Sequence, residues 1–374
     1  MELVEVDFTD ARLVGRYDRL FEACPEAFIQ QSTYWAYVIK DIGPDTPLFL
    51  LASDGGDDVA GLPLYLYEHP LGNILTSVPQ AGPLGGIFCR AGLSQAARDE
   101  AYGRLLERAV ELARRQNCMS LTIITNPFAD DWELYRRHLA PSYVLENFTQ
   151  YLYLRSVLEG DSPASFRYAS GSHLGRSTRR NIERGWEHGY RGAFCTSVAQ
   201  LKAWYDVHCR RHGELGVVPL PWRLFENMFA LLVPRNKAQL ILIEHEGQIA
   251  SGAFHVYHRA VVDAFMLSMA SEHAAHEVNY VTVDYSLRWA RGLGLRLYNW
   301  QSSQDKRCGV YRFKQQWGSR DSTYYFVTRL LCDPARIRDI GLAGLKRHYP
   351  WHYVVPFGVF TDGFDKTYFK KAGA

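Results

Sequence analysis

Two segments of the chain repeat one pattern, and this repeat constrains the fold more than any other sequence feature. Residues 48–67 read LFLLASDGGDDVAGLPLYLY, and residues 240–257 read LILIEHEGQIASGAFHVY. In each, an apolar run is followed by a turn and by a second run of alternating apolar residues. The turn falls on Gly55-Gly56 in the first copy and on Glu246-Gly247 in the second. Each segment is therefore predicted to form a β-hairpin.

Both hairpins are followed by a helix and a strand. Residues 94–116 carry apolar side chains at helical spacing, and SLTIIT follows at 120–125. The second copy repeats this order, with a predicted helix over 278–291 and a strand over 295–300. The pattern predicts an α/β (α+β) fold with two tandem units, each a mixed twisted sheet flanked by helices.

The unit boundary is expected in the turn-rich stretch Glu159–Pro163. This gives a first domain over 1–158, a second domain over 159–332, and a C-terminal extension over 333–374 without a clear period. Between the boundary and the second hairpin, helices are predicted over 198–214 and 221–232.

The near-neutral total charge conceals two halves of opposite sign. The 374 residues include 42 Lys or Arg and 40 Asp or Glu, a net charge of +2. Residues 1–150 carry 12 basic and 21 acidic side chains (net −9), whereas residues 151–374 carry 30 and 19 (net +11). Such asymmetry points to a polyanionic partner for the basic half.

Several function classes are disfavoured by what the sequence lacks. No run approaches the roughly 20 apolar residues of a membrane span, and the start, Met1 to Glu5, is acidic where a signal peptide is basic. We therefore expect a cytoplasmic protein. The seven cysteines form no C-x-x-C pair, and the pairs His255/His258 and His273/His276 lack a known zinc motif, so no metal site is expected.

The first candidate for chemistry is the basic segment 172–191, which is predicted to be helical from about Gly175. It spaces Arg176, Arg180 and Arg184 four residues apart on one face, with Arg179 adjacent. Guanidinium groups in this geometry can follow phosphates along a strand. Glu183 and Glu187 interrupt the row, so a solvated helix with internal ion pairs remains an alternative.

The second candidate is the segment Gly309–Gly318, GVYRFKQQWG. Lys314 lies between Phe313 and Trp317, where partial desolvation is expected. A lysine of this kind can stabilise a developing oxyanion. The alternative is a short amphipathic helix whose lysine reaches solvent.

Two further segments lie in the first half. Residues 31–40, QSTYWAYVIK, predict a helix with Ser32 as its N-cap, Trp35 turned inward and Lys40 at its end. Residues 77–86, SVPQAGPLGG, contain too much Pro and Gly for regular structure. Backbone with so few side chains can approach a ligand closely, or simply makes turns.

Taken in order, these segments resemble the FemAB/FemX-like family of aminoacyl-tRNA-dependent transferases, which is related to the GNAT acyltransferases. The resemblance covers roughly residues 25–330. It is carried by Gln-Ser-x-x-Trp-Ala at 31–36, Pro-x-x-Gly-Pro-x-Gly-Gly at 79–86, Arg-Arg-Asn-Ile at 179–182 and Tyr-Arg-Phe-Lys-x-x-Trp-Gly at 311–318. It implies two tandem GNAT-like domains, of which the basic one is the catalytic half.

The resemblance also implies an activity and a set of site residues. The family moves an aminoacyl group from the 3′ ester of a charged tRNA to an amine, without a further cofactor. It implies that Lys314, beside Phe313, acts in the transfer step and that Lys40, with Trp35, helps hold the acceptor. Tyr311 or Trp317 would stack on the terminal adenine, and the tRNA phosphates would meet Arg176, Arg179, Arg180 and Arg184.

The chain departs from the peptidoglycan-building members in two places. It has no long helical arm, and Trp300-Gln301-Ser302-Ser303 is not the segment expected ahead of the Phe-Lys motif. The acceptor is accordingly left open between a cell-wall precursor, a small amine, a peptide and a biosynthetic intermediate. This interpretation predicts neither a DNA partner nor a membrane span.

Two other functions stay open at this stage. The first is an acyl-CoA- or carrier-protein-dependent N-acyltransferase, although residues 272–277, EHAAHE, stand where such enzymes have a glycine-containing pyrophosphate loop. The second is a non-catalytic RNA- or peptide-binding module on a GNAT scaffold.

Overall fold

The computed structural model describes residues 1–78, 84–350, 352–362 and 368–370. The chain divides into two compact units. Unit 1 comprises Met1–Phe148 together with Thr323–Ala374, and unit 2 comprises Thr149–Ser322.

Residues 1–148 supply most of unit 1, and the last strand of this part continues to Tyr153. In chain order the elements are β1 (Glu2–Glu5), α1 (Ala11–Ala23), α2 (Thr33–Ile39), β2 (Asp45–Pro47), β3 (Leu50–Asp54), β4 (Asp57–Leu62), β5 (Tyr65–Tyr67), β6 (Asn73–Thr76), β7 (Phe88–Cys89), α3 (Gln95–Arg115), β8 (Cys118–Ile124), α4 (Trp132–Leu139) and β9 (Tyr143–Tyr153).

The following residues build unit 2. Its elements are α5 (Leu154–Val157), β10 (Leu158–Glu159), β11 (Arg167–Tyr168), α6 (Arg176–Glu187), β12 (Arg191–Phe194), α7 (Val198–Glu214), α8 (Trp222–Leu231), β13 (Ala238–His245), β14 (Gln248–His258), β15 (Val261–Met269), α9 (Val278–Gly292), β16 (Leu297–Asn299), α10 (Gly309–Gln315) and β17 (Arg320–Leu330). After β17, unit 1 is completed by α11 (Pro334–His348), α12 (Val359–Asp362) and β18 (Tyr368–Lys370).

The repeat is visible in the order of the elements. In both units a strand and two helices lead into an antiparallel hairpin, and a long helix then joins two parallel strands. The parallel pair is β6 and β8 around α3 in unit 1, and β15 and β16 around α9 in unit 2. The tandem α/β plan predicted from the sequence is therefore confirmed.

The two hairpins also share local geometry. Gly55 and Gly56 have φ of 58° and 91°, and Glu246 and Gly247 have φ of 50° and 78°. Positive φ at both central residues matches the right-handed twist of the flanking strands. In both hairpins the register shifts two residues before the turn, between Ala52 and Ser53 and between Ile243 and Glu244.

The last strand of each repeat changes unit along its length. The end of β9 pairs with β16 inside unit 2, where Tyr153 lies opposite Leu297. The end of β17 pairs with β8 inside unit 1, where Leu330 lies opposite Ser120. For this reason the units divide at Thr149 and Thr323, whereas the sequence placed the boundary near 159.

The strand order follows from these pairings. Unit 1 has a four-stranded sheet, β1-β3-β4-β7, and a second run, β17-β8-β6-β5-β2. Unit 2 has the run β12-β13-β14-β15-β16-β9 and a small pair, β10-β11. Tyr368–Lys370 of β18 pairs in parallel with the start of β9 in unit 1.

Long helices cover the sheets and close the cores. In unit 1, α3 buries Leu105, Leu106 and Ala109 against β3, β4 and β8. In unit 2, α9 buries Val283, Leu287 and Ala290 among residues of β15 and β16. These are the apolar positions whose spacing predicted the helices.

The segment 333–374 was predicted to be an extension without recognisable structure. Its described part instead groups with unit 1, and Ile337 and Leu345 of α11 are buried in a cluster with Tyr67 and Met119. The helical pattern is hard to detect because Gly341, with φ 67° and ψ 165°, interrupts α11.

Candidate active site

The Phe-Lys segment forms a short helix in unit 2, and its lysine faces inward. Cys308 caps α10, where its Sγ accepts a hydrogen bond from the Tyr311 backbone N–H at 3.4 Å. From that start, Tyr311, Lys314 and Trp317 fall on the buried side, with exposures of 9%, 6% and 0%. Lys314 is therefore desolvated, as the sequence predicted, and the alternative of a lysine that reaches solvent does not apply.

The ammonium group of Lys314 lies against the backbone that follows β16. Nζ donates to the carbonyl oxygens of Gln301 at 2.9 Å and Ser302 at 3.0 Å. Burial lowers the pKa of Lys314 to about 8, and this effect is partly offset by Cys308 and Asp263. An ammonium group has three N–H donors. Within the described residues, the two carbonyl oxygens engage two of these three donors.

A buried carboxylate lies beside this lysine. Asp263, which is 2% exposed, accepts hydrogen bonds from the side-chain amides of Asn299 and of Gln301, the latter at 3.1 Å. Asn299 in turn accepts from the Thr149 hydroxyl at 2.6 Å. The network fixes the end of β16 and the positive-φ residue Gln301 (φ 60°), whose carbonyl holds Lys314.

Sequence reasoning did not select Asp263, Asn299 or Gln301. One signal was available: Asp263 is the only charged residue in the apolar strand sequence VVDAFMLSM. A second signal was the segment Trp300–Ser303, where the sequence departs from the family pattern.

Lys314 and Asp263 lie at an opening between two parallel strands. Pairing of β15 with β16 covers Val261–Asp263 and Leu297–Asn299. Beyond these residues β15 continues to Met269, whereas β16 ends at Asn299 and the backbone then leads to α10. Ligands of α/β sheets commonly bind at the carboxyl ends of parallel strands, so this opening is the candidate active site of unit 2.

The aromatic residues of the motif differ in their exposure. Phe313 is half-buried and packs edge-on against Tyr280, with ring centroids 5.2 Å apart. Trp317 is fully buried in the unit 2 core. Tyr311 is nearly buried, and its hydroxyl donates to the Asp321 carboxylate at 3.2 Å. The expectation that Trp317 stacks on a base is corrected, because its ring has no free face.

The predicted acceptor residues lie in unit 1. Ser32 caps α2 as expected, with its Oγ accepting from the Trp35 N–H at 3.3 Å. Trp35 is fully buried, so its predicted contact with substrate is corrected to a packing role. Lys40 is exposed at the end of α2 and lines a largely apolar cleft of about 520 Å³, together with Phe8, Tyr37, Pro47 and Phe49.

Two family motifs meet inside unit 1. The Gln31 side chain donates to the carbonyl oxygen of Gly86 at 2.9 Å, which links the start of α2 to the Pro/Gly-rich segment. Gly86 has φ 80°, and a Cβ there would lie 2.5 Å from the Tyr135 hydroxyl oxygen. Residues 79–83 of this segment lie outside the described residues.

The four arginines of α6 do not form one free row. Arg179 is half-buried and donates to the Ala169 carbonyl at 3.1 Å, and Arg184 pairs with Glu277 at 2.7 Å. Arg176 and Arg180 are exposed, and neither forms an ion pair within the part of the chain that the structure describes. Only these two therefore have guanidinium groups available to a polyanion without a prior exchange of partners.

The amino end of α9 carries a carboxylate. A 3-10 turn over Ser271–His276 leads to Glu277, the N-cap residue, which has φ 61° and makes no capping hydrogen bond through its side chain. The Glu277 carboxylate pairs instead with Arg184. A negative group there weakens the attraction of the helix end for a pyrophosphate.

Comparison with known proteins defines the class. Residues 174–315, all within unit 2, match the family described as Acetyltransferase (GNAT) domain. Unit 2 is therefore a GNAT-type acyltransferase domain, and the protein is an acyltransferase. No curated protein matches the sequence.

Solved structures define the fold of the whole chain. FemX is 14% identical over 87% of this chain and 97% of its own, with a TM-score of 0.67. The C-terminal domain of a putative lysylphosphatidylglycerol synthetase from Agrobacterium fabrum is 11% identical over 89% and 96%, with a TM-score of 0.57. A tandem GNAT protein from the clavulanic acid biosynthesis pathway is 16% identical over 89% and 99%, with a TM-score of 0.50. The chain thus has the FemX-like fold that its motifs predicted.

Proposed function

We propose that the protein transfers an aminoacyl group from aminoacyl-tRNA to an amine and so forms an amide bond. The observation that carries this proposal is Lys314, whose ammonium group is buried at the strand opening and donates to two carbonyl groups among the described residues, which leaves the third N–H for the substrate. An aminoacyl ester is already activated, so alignment, removal of one proton and stabilisation of the oxyanion account for most of the catalysis.

The transfer step balances without a further reagent. The neutral amine attacks the ester carbonyl carbon and forms a C–N bond, and the carbonyl oxygen becomes an oxyanion. In this proposal Lys314 donates its remaining N–H to that oxyanion. The intermediate collapses with cleavage of the bond to the ribose oxygen, which takes up a proton as the attacking nitrogen loses one.

The charge distribution favours an RNA-borne donor. Counted by structural unit, unit 2 has 22 basic and 15 acidic residues (net +7), and unit 1 has 20 and 25 (net −5). The exposed Arg176 and Arg180 are available to phosphates. Glu277 at the amino end of α9 disfavours the pyrophosphate of CoA at that position.

The cleft beside Lys40 supports an acceptor with both apolar and charged parts. Its lining combines aromatic rings with the exposed ammonium group of Lys40 and the carboxylates of Glu5 and Asp7. A small molecule or peptide that carries an amine and a carboxylate or phosphate fits this chemistry. The FemX-like resemblance points to the same role for Lys40.

Acyl-CoA is the second candidate donor. The match of residues 174–315 to an acetyltransferase family favours it, and the opening between β15 and β16 suits either donor. A purely binding function is the third possibility, and it predicts salt-sensitive RNA binding without any transfer.

One experiment distinguishes the three candidate functions, which are transfer from charged tRNA, transfer from acyl-CoA and binding without transfer. Charged tRNA and acyl-CoA are offered separately with a panel of amines, and consumption of the donor and formation of amide are followed. We expect transfer from charged tRNA that RNase abolishes. Transfer only from acyl-CoA would contradict the tRNA proposal, and tRNA binding without amide formation would contradict a catalytic role.

Matched variants assign the lysine. Lys314→Ala should abolish most of the turnover, while Lys202→Ala, which removes an exposed lysine on α7, should leave turnover unchanged. Equal turnover in both variants would remove Lys314 from the mechanism.

A further inference from the structure

Four histidines from three separate segments of unit 2 come together near the amino end of α9. His188 directly follows α6, and His245 is the last residue of β13. His273 and His276 belong to the 3-10 turn over Ser271–His276. The fold therefore brings together imidazole groups from three segments that are more than 20 residues apart in the sequence.

Three of these rings lie close enough together to share one metal ion after small rotations. His188, His245 and His273 are half-buried, and each offers a ring nitrogen within 4.8 Å of the other two. Zinc bound at about 2.0–2.1 Å holds tetrahedral ligand atoms roughly 3.3 Å apart. Small rotations of the side chains would bring the three nitrogens to that spacing.

The fourth histidine packs directly on this group. The His188 ring stacks on His276, with centroids 4.0 Å apart and planes inclined by 8°, and on His245 at 4.8 Å and 10°. His276 is exposed, so its ring has room to turn toward an ion.

A tyrosine orients one of the three rings. The Tyr190 hydroxyl lies 3.0 Å from Nδ1 of His273, and Tyr190 itself is 4% exposed. Outer hydrogen bonds of this kind fix the orientation of metal-ligating histidines. With Nδ1 engaged, an ion would bind Nε2 of His273.

The electrostatic surroundings suit a cation. Glu246 directly follows His245, and Glu272 directly precedes His273. Carboxylates next to two of the three imidazole groups add negative charge that favours a bound cation.

We propose that His188, His245 and His273 form a binding site for a transition-metal dication of the zinc class, with His276 or water as the fourth ligand. A bound ion would tie the end of α6 and the hairpin turn after β13 to the turn that precedes α9. The absence of a local zinc motif had predicted no metal, but these ligands come from three distant segments. The site is independent of the proposed acyl transfer.

Metal binding is tested directly on the full-length protein after treatment with a chelator. Co²⁺ is titrated while its visible absorption is followed, and Zn²⁺ is then added in competition. We expect one ion per chain, the intense visible bands of four-coordinate Co²⁺, loss of these bands on addition of Zn²⁺, and a higher thermal midpoint with Zn²⁺. A wild-type protein that binds no stoichiometric ion would overturn the proposal.

Variants locate the ion. His245→Ala and His273→Ala should each weaken Zn²⁺ binding at least about tenfold, and Tyr190→Phe should weaken it by about 10-fold or more if its hydrogen bond orients His273. His173→Gln, which alters an exposed histidine of the same unit, is the control and should bind as the wild type does. Circular dichroism verifies that each variant is folded. Folded His245→Ala and His273→Ala proteins with wild-type affinity would place the ion elsewhere and contradict the proposal.

Discussion

At the scale of single residues, burial gives Lys314 its chemical character. A lysine normally extends to solvent, but here two backbone carbonyls bind the ammonium group in a nearly buried position. Its pKa falls to about 8, because desolvation penalises the charged form. The residue is therefore mostly charged near pH 7 and loses its proton just above that range.

The first prediction concerns the loss of this group. Lys314→Met keeps much of the apolar stem and removes the N–H donor. Transfer should fall by about 100- to 1,000-fold in kcat, the effect of removing one well-placed oxyanion donor. Single-turnover kinetics measure the change, and an equal fall in Lys202→Met would show that the effect is not specific.

The second prediction concerns pH. Because the pKa of Lys314 is about 8, the charged donor is lost as the pH rises through that value, and kcat should then decline. Lys314→Arg retains its charge at higher pH, so any activity that it keeps should decline later. A comparison of the pH–rate profiles of the wild type and Lys314→Arg with the same acceptor amine tests this, and profiles of identical shape would contradict it.

The third prediction concerns a buried carboxyl in unit 1. Asp131 is 3% exposed and accepts a hydrogen bond from Tyr102 at 2.6 Å, and burial raises its pKa to about 7. The native state therefore holds this proton at a higher pH than the unfolded state does. Stability is lost as the pH rises from about 4 through 7.

Asp131→Asn removes that dependence. At pH 8 it should raise the free energy of unfolding by up to about 4 kcal/mol, the equivalent of roughly three pKa units. Thermal midpoints at pH 5 and pH 8 measure the effect. The control is Asp130→Asn, which alters the exposed residue next to Asp131. A similar change of the thermal midpoint in both variants would show that burial of Asp131 is not the cause of the effect.

At the scale of elements, the β13–β14 hairpin is held close to α7. A Cβ on Gly252 would lie 2.6 Å from Cδ1 of Trp204 and 2.8 Å from the carbonyl oxygen of Ile241. The backbone oxygen cannot move without disturbing the strand pairing. Position 252 therefore accepts glycine alone without strain.

The fourth prediction follows from this packing. Gly252→Ala should lower the free energy of unfolding by about 1–3 kcal/mol through overpacking. Gly213→Ala, in α7 with open space around the new methyl group, should leave stability unchanged or slightly higher. Chemical denaturation compares the two variants, and equal destabilisation would argue against a steric cause at Gly252.

The helix α6 shows why an element's sequence does not reveal which side chains are free. Its spacing correctly predicted a helix, and the structure places it at Arg176–Glu187. Tertiary contacts then engage Arg179 and Arg184 and leave Arg176 and Arg180 exposed. Those contacts come from residues that are distant in the sequence, Glu277 among them.

At the scale of the whole molecule, the charge asymmetry survives the change of boundaries. Unit 2 remains net positive at +7 and unit 1 net negative at −5. No helix in the described part of the chain has the length and apolar character that a membrane crossing requires. The positive charge of unit 2 and its exposed Arg176 and Arg180 favour a polyanionic partner.

The fifth prediction tests that partner. Arg176→Glu and Arg180→Glu should each weaken tRNA binding and lower the slope of log Kd against log salt by about one. Arg223→Glu, on α8, changes the net charge of the unit by the same amount and is the control. Filter binding across a salt series measures the slopes, and equal effects of all three variants would indicate only a diffuse charge effect.

The local elements and their repetition follow from the sequence alone. Apolar spacing defined the helices around Leu105 and Leu287, and paired turn residues defined both hairpins. These features depend on neighbours along the chain, and the hydrophobic period expresses them directly. The motif around Lys314 also identified the catalytic candidate before any contact was known.

Which side chains meet and which remain accessible depends on the packing of the folded chain. In the folded chain Trp35 and Trp317 are buried, and Asp263 and Gln301 lie beside Lys314. The end of β17 pairs with β8 in unit 1. His188, His245 and His273 lie close together. Such contacts join residues far apart in sequence, so no local period records them, and burial then sets the charge state and reactivity of each group.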